Sequence, residues 1–269
     1  MDKSYRAFFG LKKEPFGSDL EINEILKTPE LIAVKERFDY TLRIGAIALV
    51  TGDIGSGKST ALRYAMGQLH PSEYITLYLI ASSGSILELY RQLLVELGFD
   101  TTGTSRATMT RLIKREIQDL VVGKKMKVAL IIDEASLIRL DVFAEFYTLT
   151  QFESDSKPYL PIILAGQSNL IDKLDYRTSK PLASRIVARS HLEAVNREDM
   201  EQYLTHHLSV AGVKKNLFDP SAVTAIHQGS GGLFRKANNL ARGSLIAAAK
   251  SQSIAVNSEH VRLASTELF

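Results

Sequence analysis

The chain has 269 residues with a formal net charge of +3, and 45% of them are hydrophobic. This is ordinary for a globular protein of one large or two smaller domains, and the charge permits a nucleic-acid partner without requiring one. Cysteine is absent, which excludes disulfide bonds and thiolate metal sites. No run is typical of a signal peptide or reaches the ~18 apolar residues of a membrane span, so we predict a cytoplasmic protein without a membrane partner.

Short apolar runs alternate with helical patterns over most of the chain. Runs suited to buried parallel strands cover 46–50, 74–80, 127–133 and 160–166, with a weaker run at 190–195. Helices are predicted near 58–69, 85–97, 105–122 and 141–152. This alternation favours a three-layer α/β/α domain over residues 1–195, with a mostly parallel five-stranded sheet.

The strand pattern ends near residue 195, and four helical patterns follow. Asn196 and Asp219 are good N-caps, and Pro220 occupies a first helical position. The remaining two helices are predicted within "GLFRKANNLARGSLIAAAKS" and "NSEHVRLAS". We therefore predict a small helical lid domain over residues 196–269.

One segment matches the phosphate-loop pattern G-x-x-x-x-G-K-[ST] in full, between a predicted strand and a predicted helix. Its glycines let backbone N–H groups converge on phosphate oxygens, next to the positive end of the helix dipole. The lysine is expected to contact the β- and γ-phosphates and the serine to hold Mg²⁺. The guanine-reading motif N-K-x-D is absent, so we predict ATP as the nucleotide. The predicted contacts are Gly52, Asp53, Ile54, Gly55, Ser56, Gly57, Lys58, Ser59 and Thr60.

Two adjacent carboxylates lie at the end of the predicted strand "VALIID": Asp133 is its last residue, and Glu134 follows directly. Asp133 is expected to support Mg²⁺, and Glu134 to activate a water for attack on the γ-phosphate. A polar side chain after the next strand can position that water. Gln167 is the first candidate and Asn169 the second, and the alternative is a plain polar loop.

Two arginines are candidates for contacts with the γ-phosphate. Arg185, just before the last strand, suits projection into the site of a neighbouring subunit, with Arg177 and Arg189 as competitors. Arg235, in the first turn of a lid helix, suits movement onto the phosphate within its own chain. The alternative for Arg185 is a surface ion pair, and for Arg235 it is solvent exposure or a salt bridge within its own domain.

Two adjacent histidines lie within the first lid helix. Neighbouring helical positions do not share a face, so His206 and His207 are poorly placed as joint metal ligands. We predict that both are solvated residues of the helix surface.

The order of these motifs resembles that of the AAA+ ATPases. The opening "YRAFFGLKKEPF", followed by "LVTGDIGSGKST", is similar to the general secretion pathway protein A (ExeA-like) group, related to the transposition regulators TnsC and MuB. The resemblance covers nearly the whole chain. It implies that the N-terminal segment 1–45 lies near the adenine, with Phe9, Pro15 and Phe16 walling the base pocket; their alternative is a plain core role.

The resemblance also implies a function. Secretion members of the group continue into a membrane segment and a peptidoglycan-binding domain, whereas this chain stops after the lid, which favours a stand-alone cytoplasmic ATPase. The first hypothesis is a ring or helical filament on double-stranded DNA that recruits or activates a transposase. The alternatives are an accessory ATPase for a secretion or pilus machine, and a nucleotide-binding scaffold. Candidate DNA contacts are Lys12, Lys13, Arg106, Arg111, Lys114, Arg115, Lys124, Lys125 and Lys127.

Overall fold

The computed structural model describes residues 4–100 and 105–268. Its strands are β1 (Ile47–Gly52), β2 (Tyr74–Ile80), β3 (Lys127–Asp133), β4 (Ile162–Gly166) and β5 (Ile186–Leu192). Its α-helices are α1 (Ser4–Phe9), α2 (Pro29–Ile44), α3 (Lys58–Met66), α4 (Ile86–Glu96), α5 (Arg106–Gln118), α6 (Leu140–Leu149), α7 (Asn169–Asp175), α8 (Lys180–Ala183), α9 (Arg197–Val210), α10 (Pro220–Ser230), α11 (Phe234–Lys250) and α12 (Ser258–Leu268).

The five strands form one sheet in the order β2-β3-β4-β1-β5, and every pair is parallel. The predicted α/β fold with a five-stranded sheet is therefore confirmed. The central strands β1 and β4 are buried along their whole length, which is why their sequences are continuous apolar runs.

The sheet has a hydrophobic core on each face. Alternate residues of β1 point to opposite faces, so Ile47 and Leu49 join one cluster while Ala48 and Val50 join the other. The first cluster is closed by α4, α5 and α6, and the second by α2 and α3. The burial of apolar side chains on both faces stabilises the sheet and so fixes the positions of its strand ends. The motif residues lie at those ends.

The last strand differs from its prediction. It was expected at 190–195, but β5 runs from Ile186 to Leu192. It is an edge strand that buries only alternate residues, and Arg189 and His191 are exposed. This mixed pattern lacks the continuous apolar signal of a central strand, so its bounds were misplaced. Strand β4 also begins two residues later than predicted, after Pro161.

The predicted helices are confirmed with shifted ends. The helix expected over 105–122 is α5 followed by a π-helical turn, Asp119–Gly123. Asn196 and Asp219 cap α9 and α10 as predicted, because each side chain accepts a hydrogen bond from a first-turn N–H, at 2.8 and 2.7 Å. Helix α2 was not predicted, although Thr28 caps it and Gly45 ends it in a left-handed conformation.

The chain divides into two compact units. The sheet unit comprises residues 28–52 and 58–192. The helical unit comprises the described residues 4–27, 53–57 and 193–268. Its core lies among α9, α10, α11 and α12 and includes Tyr5, Leu11 and Phe16 from the N-terminal segment. The first residues of the chain thus pack with its last helices.

Candidate nucleotide site

The predicted phosphate loop has the backbone that its sequence requires. It leaves β1 at Gly52 and enters α3 at Lys58. Gly55 and Gly57 have φ values of +88° and +99°, which favour glycine strongly. The Ser56 N–H donates to the Asp53 carbonyl at 3.1 Å, closing the turn between them. The local structure is the strand–loop–helix arrangement that binds phosphates in P-loop proteins.

The loop lysine is buried within the sheet unit. Lys58 is 6% exposed, and its Nζ donates to the carbonyl of Gly52 at 2.8 Å. A buried ammonium group is unfavourable without such partners. The loop thus holds a positive charge near its own start, where an incoming phosphate can replace the carbonyl as partner.

The carboxylate of Asp133 accepts three hydrogen bonds within the sheet unit. Its Oδ2 accepts hydrogen bonds from Ser59 Oγ and from Tyr78 Oη, both at 2.8 Å. Its Oδ1 accepts from the N–H of Glu134 at 2.8 Å. The serine of the phosphate loop and the aspartate of β3 are therefore already in contact. Their hydroxyl and carboxylate oxygens are the hard donors that Mg²⁺ prefers, so this pair fits the ion.

Tyr78 belongs to this cluster, although sequence reasoning did not single it out. It lies on β2, two residues before the strand ends, and it is half-buried. Burial, together with its hydrogen bond to Asp133, raises the pKa of the Tyr78 hydroxyl. The group therefore stays protonated and remains a donor to Asp133 at neutral pH.

Glu134 follows β3 in a left-handed backbone conformation, with φ +53° and ψ +31°. This conformation is uncommon for a residue other than glycine. It begins the short helical turn Ala135–Leu137, whose Leu137 N–H donates to the Glu134 carbonyl at 2.8 Å. The glutamate is thus fixed directly after the carboxylate that contacts the phosphate-loop serine.

Gln167 follows β4, and Asn169 begins α7. Strand β4 lies between β3 and β1 in the sheet, so the carboxyl end of β4 separates the strand ends that carry Glu134 and the phosphate loop. The topology therefore places Gln167 at the sheet edge shared by both.

Arg185 lies at the opposite edge of the sheet. It immediately precedes β5, and its carbonyl accepts from the N–H of Ile47 at the start of β1. The phosphate loop follows the other end of β1, about 16 Å away at the usual rise per residue. Arg185 is therefore remote from the loop along its own sheet. Its competitor Arg189 is exposed on β5, and Arg177 is exposed between α7 and α8.

Within the helical unit, Arg235 adjoins the loop segment 53–57. Its backbone N–H donates to the Gly55 carbonyl at 3.3 Å. A Cβ added to Gly55 would lie 2.8 Å from the Cβ of Arg235, and one added to Gly57 would lie 3.4 Å from the ring of Phe234. The first turn of α11 thus packs closely on the loop at Gly55, where a larger side chain would clash with Arg235.

The predicted adenine-side residues belong to the core of the helical unit. Phe16 is 2% exposed and stacks on the His207 ring, with centroids 5.3 Å apart and planes inclined by 19°. Pro15 is buried and Phe9 is partly buried against the same cluster. Their contribution to a base pocket stays a prediction.

The predicted solvation of both histidines is wrong for His207, which is 3% exposed. Its ring lies between those of Phe16 and Tyr203. Burial lowers the pKa of His207 to about 3, so the ring is neutral at physiological pH. His206 is half-buried, and its Nε2 lies 2.6 Å from the carbonyl of Glu24. The contacts with Phe16 and Glu24 were missed because these partners come from the distant N-terminal segment, whereas Tyr203 lies one turn away in the same helix.

Comparisons with known sequences find related proteins. Residues 44–174 match the AAA domain family. The chain is 30% identical to General secretion pathway protein A of Aeromonas hydrophila, over 98% of this chain and 48% of the relative. It therefore spans about half the length of that relative.

Solved structures share the fold. Cdc6p of Pyrobaculum aerophilum has a TM-score of 0.74 at 15% identity, over 100% of this chain and 72% of that one. The ORC1 protein of Aeropyrum pernix, solved with DNA, has a TM-score of 0.69 at 17% identity, over 94% and 68%. Among the described residues, no helix is both long and apolar enough to cross a membrane. The chain thus has the P-loop fold of the AAA+ proteins, its residues 44–174 match the AAA domain family, and its sequence is similar to General secretion pathway protein A.

Proposed function

We propose that the chain binds Mg·ATP at the phosphate loop and hydrolyses it to control its own assembly on duplex DNA, where it recruits or activates a transposase, as the transposition regulators TnsC and MuB do. The observation that carries the ATPase part is the 2.8 Å hydrogen bond between Ser59 and Asp133. It joins the phosphate loop to the strand end that presents Glu134.

The binding roles follow from the donors that this segment offers. Amides of residues 52–59 and the Lys58 ammonium group contact the phosphates. Ser59 and Asp133 would hold Mg²⁺, which supplies charge neutralisation on the phosphate oxygens.

The catalytic roles follow from position on the sheet. Glu134 orients a water and takes its proton as the water oxygen bonds to the γ-phosphorus. The bond from that phosphorus to the β–γ bridging oxygen breaks, and ADP and phosphate leave. Gln167 positions the same water, and Arg235 moves onto the γ-phosphate when it is present. Arg185 stabilises transition-state charge at the site of a neighbouring copy, because it lies far from its own loop along the sheet.

The DNA part rests on the family resemblance and on the basic residues that remain available. Arg106, Arg115 and Lys127 already pair with acidic side chains. Lys124, Lys125 and Arg111 are exposed, and their side chains have no partner within the described ranges 4–100 and 105–268. Phosphate contacts by such residues supply affinity with little base reading.

The test combines hydrolysis with DNA binding over a salt series. We expect ATP-dependent binding to duplex DNA whose salt slope decreases by about two units in the double variant Lys124→Gln/Lys125→Gln. The control is Lys180→Gln, because Lys180 pairs with Asp175 at 3.1 Å. Lys58→Ala should abolish both nucleotide and DNA binding. Salt-independent, ATP-independent DNA binding would refute the DNA part alone, and hydrolysis by Lys58→Ala would refute the site.

A second function is favoured by the 30% identity to General secretion pathway protein A. In that case the same ATP cycle assists assembly of a secretion or pilus machine and acts on protein. ATP hydrolysis and self-assembly would then persist without any salt-dependent DNA binding, which separates the two functions in the same experiment.

A further inference from the structure

The turn that follows Glu134 is held in an uncommon conformation. Glu134 is left-handed, and such a backbone persists only where its surroundings determine it strongly. Within the turn, Ala135 is 0% and Ser136 is 3% exposed, whereas Leu137 is exposed. The backbone around the two buried residues therefore depends on protein groups for its hydrogen bonds.

Two carbonyls in this region accept hydrogen bonds from backbone N–H groups of the turn, and two others accept from a side chain outside it. Glu134 and Ala135 accept hydrogen bonds from the N–H groups of Leu137 and Ile138, at 2.8 and 3.1 Å. The carbonyls of Ser136 and Ile138 instead accept from a single side chain. Lys173 Nζ donates to them at 2.6 and 2.8 Å.

The turn is also held from the strand next to it. Gly166 ends β4, and a Cβ added there would lie 2.7 Å from the N of Ser136. The backbone of β4 thus abuts the turn where only glycine fits. Gly166 and Lys173 lie on either side of Gln167 in the sequence. The segment that carries Gln167 therefore contacts the turn after Glu134 at two points.

We propose that Lys173 is a positioning residue for ATP hydrolysis, acting through the Glu134 turn. This inference rests on the proposed role of Glu134 as the group that activates water. Without the ammonium group, the carbonyls of Ser136 and Ile138 lose their donor and the turn loosens. The Glu134 carboxylate then loses its fixed position relative to the attacking water, and misplacement by about 1 Å is enough to lower a rate ~10²-fold. The two hydrogen bonds of Lys173 both go to this turn, so we expect nucleotide affinity to be retained.

The test substitutes Lys173→Met, which keeps an unbranched side chain and removes the donor. We expect turnover at saturating ATP to fall ~10²-fold, with the Kd for Mg·ATP within about twofold of wild type. Lys173→Arg keeps a cationic donor and should recover part of the rate. Lys180→Met is the control, because it removes an exposed lysine of the neighbouring helix. Unchanged turnover in Lys173→Met, or a Kd that weakens in step with turnover, would overturn the inference.

A double variant distinguishes action through Glu134 from general damage. Residual hydrolysis is measured with radiolabelled ATP in Glu134→Gln and in Glu134→Gln/Lys173→Met. We expect no further loss in the double variant, because the group being positioned is already disabled. A further ~10²-fold loss would overturn the inference while leaving the proposed function intact. Wild-type turnover in Glu134→Gln itself would overturn the role of Glu134. If Lys173→Met does not fold, Lys173→Ala, which also lacks a donor, carries the same comparisons.

Discussion

Arg185 is bound by its own chain through Asp155. Its Nη2 lies 2.5 Å from both carboxylate oxygens, and its guanidinium lies 4.8 Å above the ring of Tyr147. The ion pair lowers the pKa of Asp155, so that carboxylate remains charged at any physiological pH. An Arg185 that serves the nucleotide of a neighbouring copy therefore has to leave Asp155 first.

Arg185→Ala should reduce hydrolysis ~10³-fold in the assembled protein, because a trans-acting arginine stabilises charge only in the transition state. Binding of Mg·ATP to the isolated chain should not change. The measurement is turnover against protein concentration, with the Kd for nucleotide measured separately. Normal turnover in this variant would exclude Arg185 from the catalytic machinery.

Asp155→Asn should raise hydrolysis several-fold at low protein concentration. The neutral amide holds the guanidinium less strongly, so a larger fraction of Arg185 is available to a neighbour. Asp175→Asn is the matched control, because it removes an exposed carboxylate paired with Lys180. A fall in turnover as large as that of Arg185→Ala would instead show that the pair is structural.

Much of this architecture was predictable because its signals are local. The phosphate loop, Asp133 and Glu134 sit at strand ends whose apolar runs are continuous, since both faces of the sheet are covered. Strand β5 was misplaced because an edge strand alternates buried and exposed residues. Tyr78 and Lys173 were missed because their contacts join segments far apart in the sequence, and no local period records a hydrogen bond across 35 or 55 residues.

Tyr78→Phe should raise the Mg²⁺ concentration needed for half-maximal hydrolysis about tenfold. The phenol donates to the oxygen of Asp133 that also accepts from Ser59, and groups that orient a metal-binding carboxylate commonly tune affinity by such amounts. Because the pKa of Tyr78 is raised, the effect should be constant through neutral pH. Tyr74→Phe is the control on the same strand, since Tyr74 lies at its other end and contacts Lys127. An unchanged Mg²⁺ titration would remove Tyr78 from the site.

His207 should make the helical unit sensitive to acid. Burial holds its pKa at about 3, with smaller contributions from His206 and Lys13, whereas the unfolded chain has the ordinary value near 6.5. Between these two pKa values, His207 is protonated in the unfolded chain and neutral in the native protein. The free energy of unfolding is therefore unaffected above pH 6.5 and falls below it, by up to about 1.4 kcal/mol per pH unit.

Urea unfolding at pH 7, 6 and 5 measures this effect as the difference between wild type and His207→Phe, which keeps a ring against Phe16 but cannot titrate. We expect the free energy of unfolding of the variant to rise relative to that of wild type as the pH falls, by an amount that approaches about 1.4 kcal/mol per pH unit. His70→Gln removes an exposed histidine and should leave the wild-type pH dependence in place. Parallel curves for wild type and His207→Phe would mean that His207 takes up its proton in the native protein near the ordinary pKa, and that the packing of Phe16 and Tyr203 on its ring does not exclude charge.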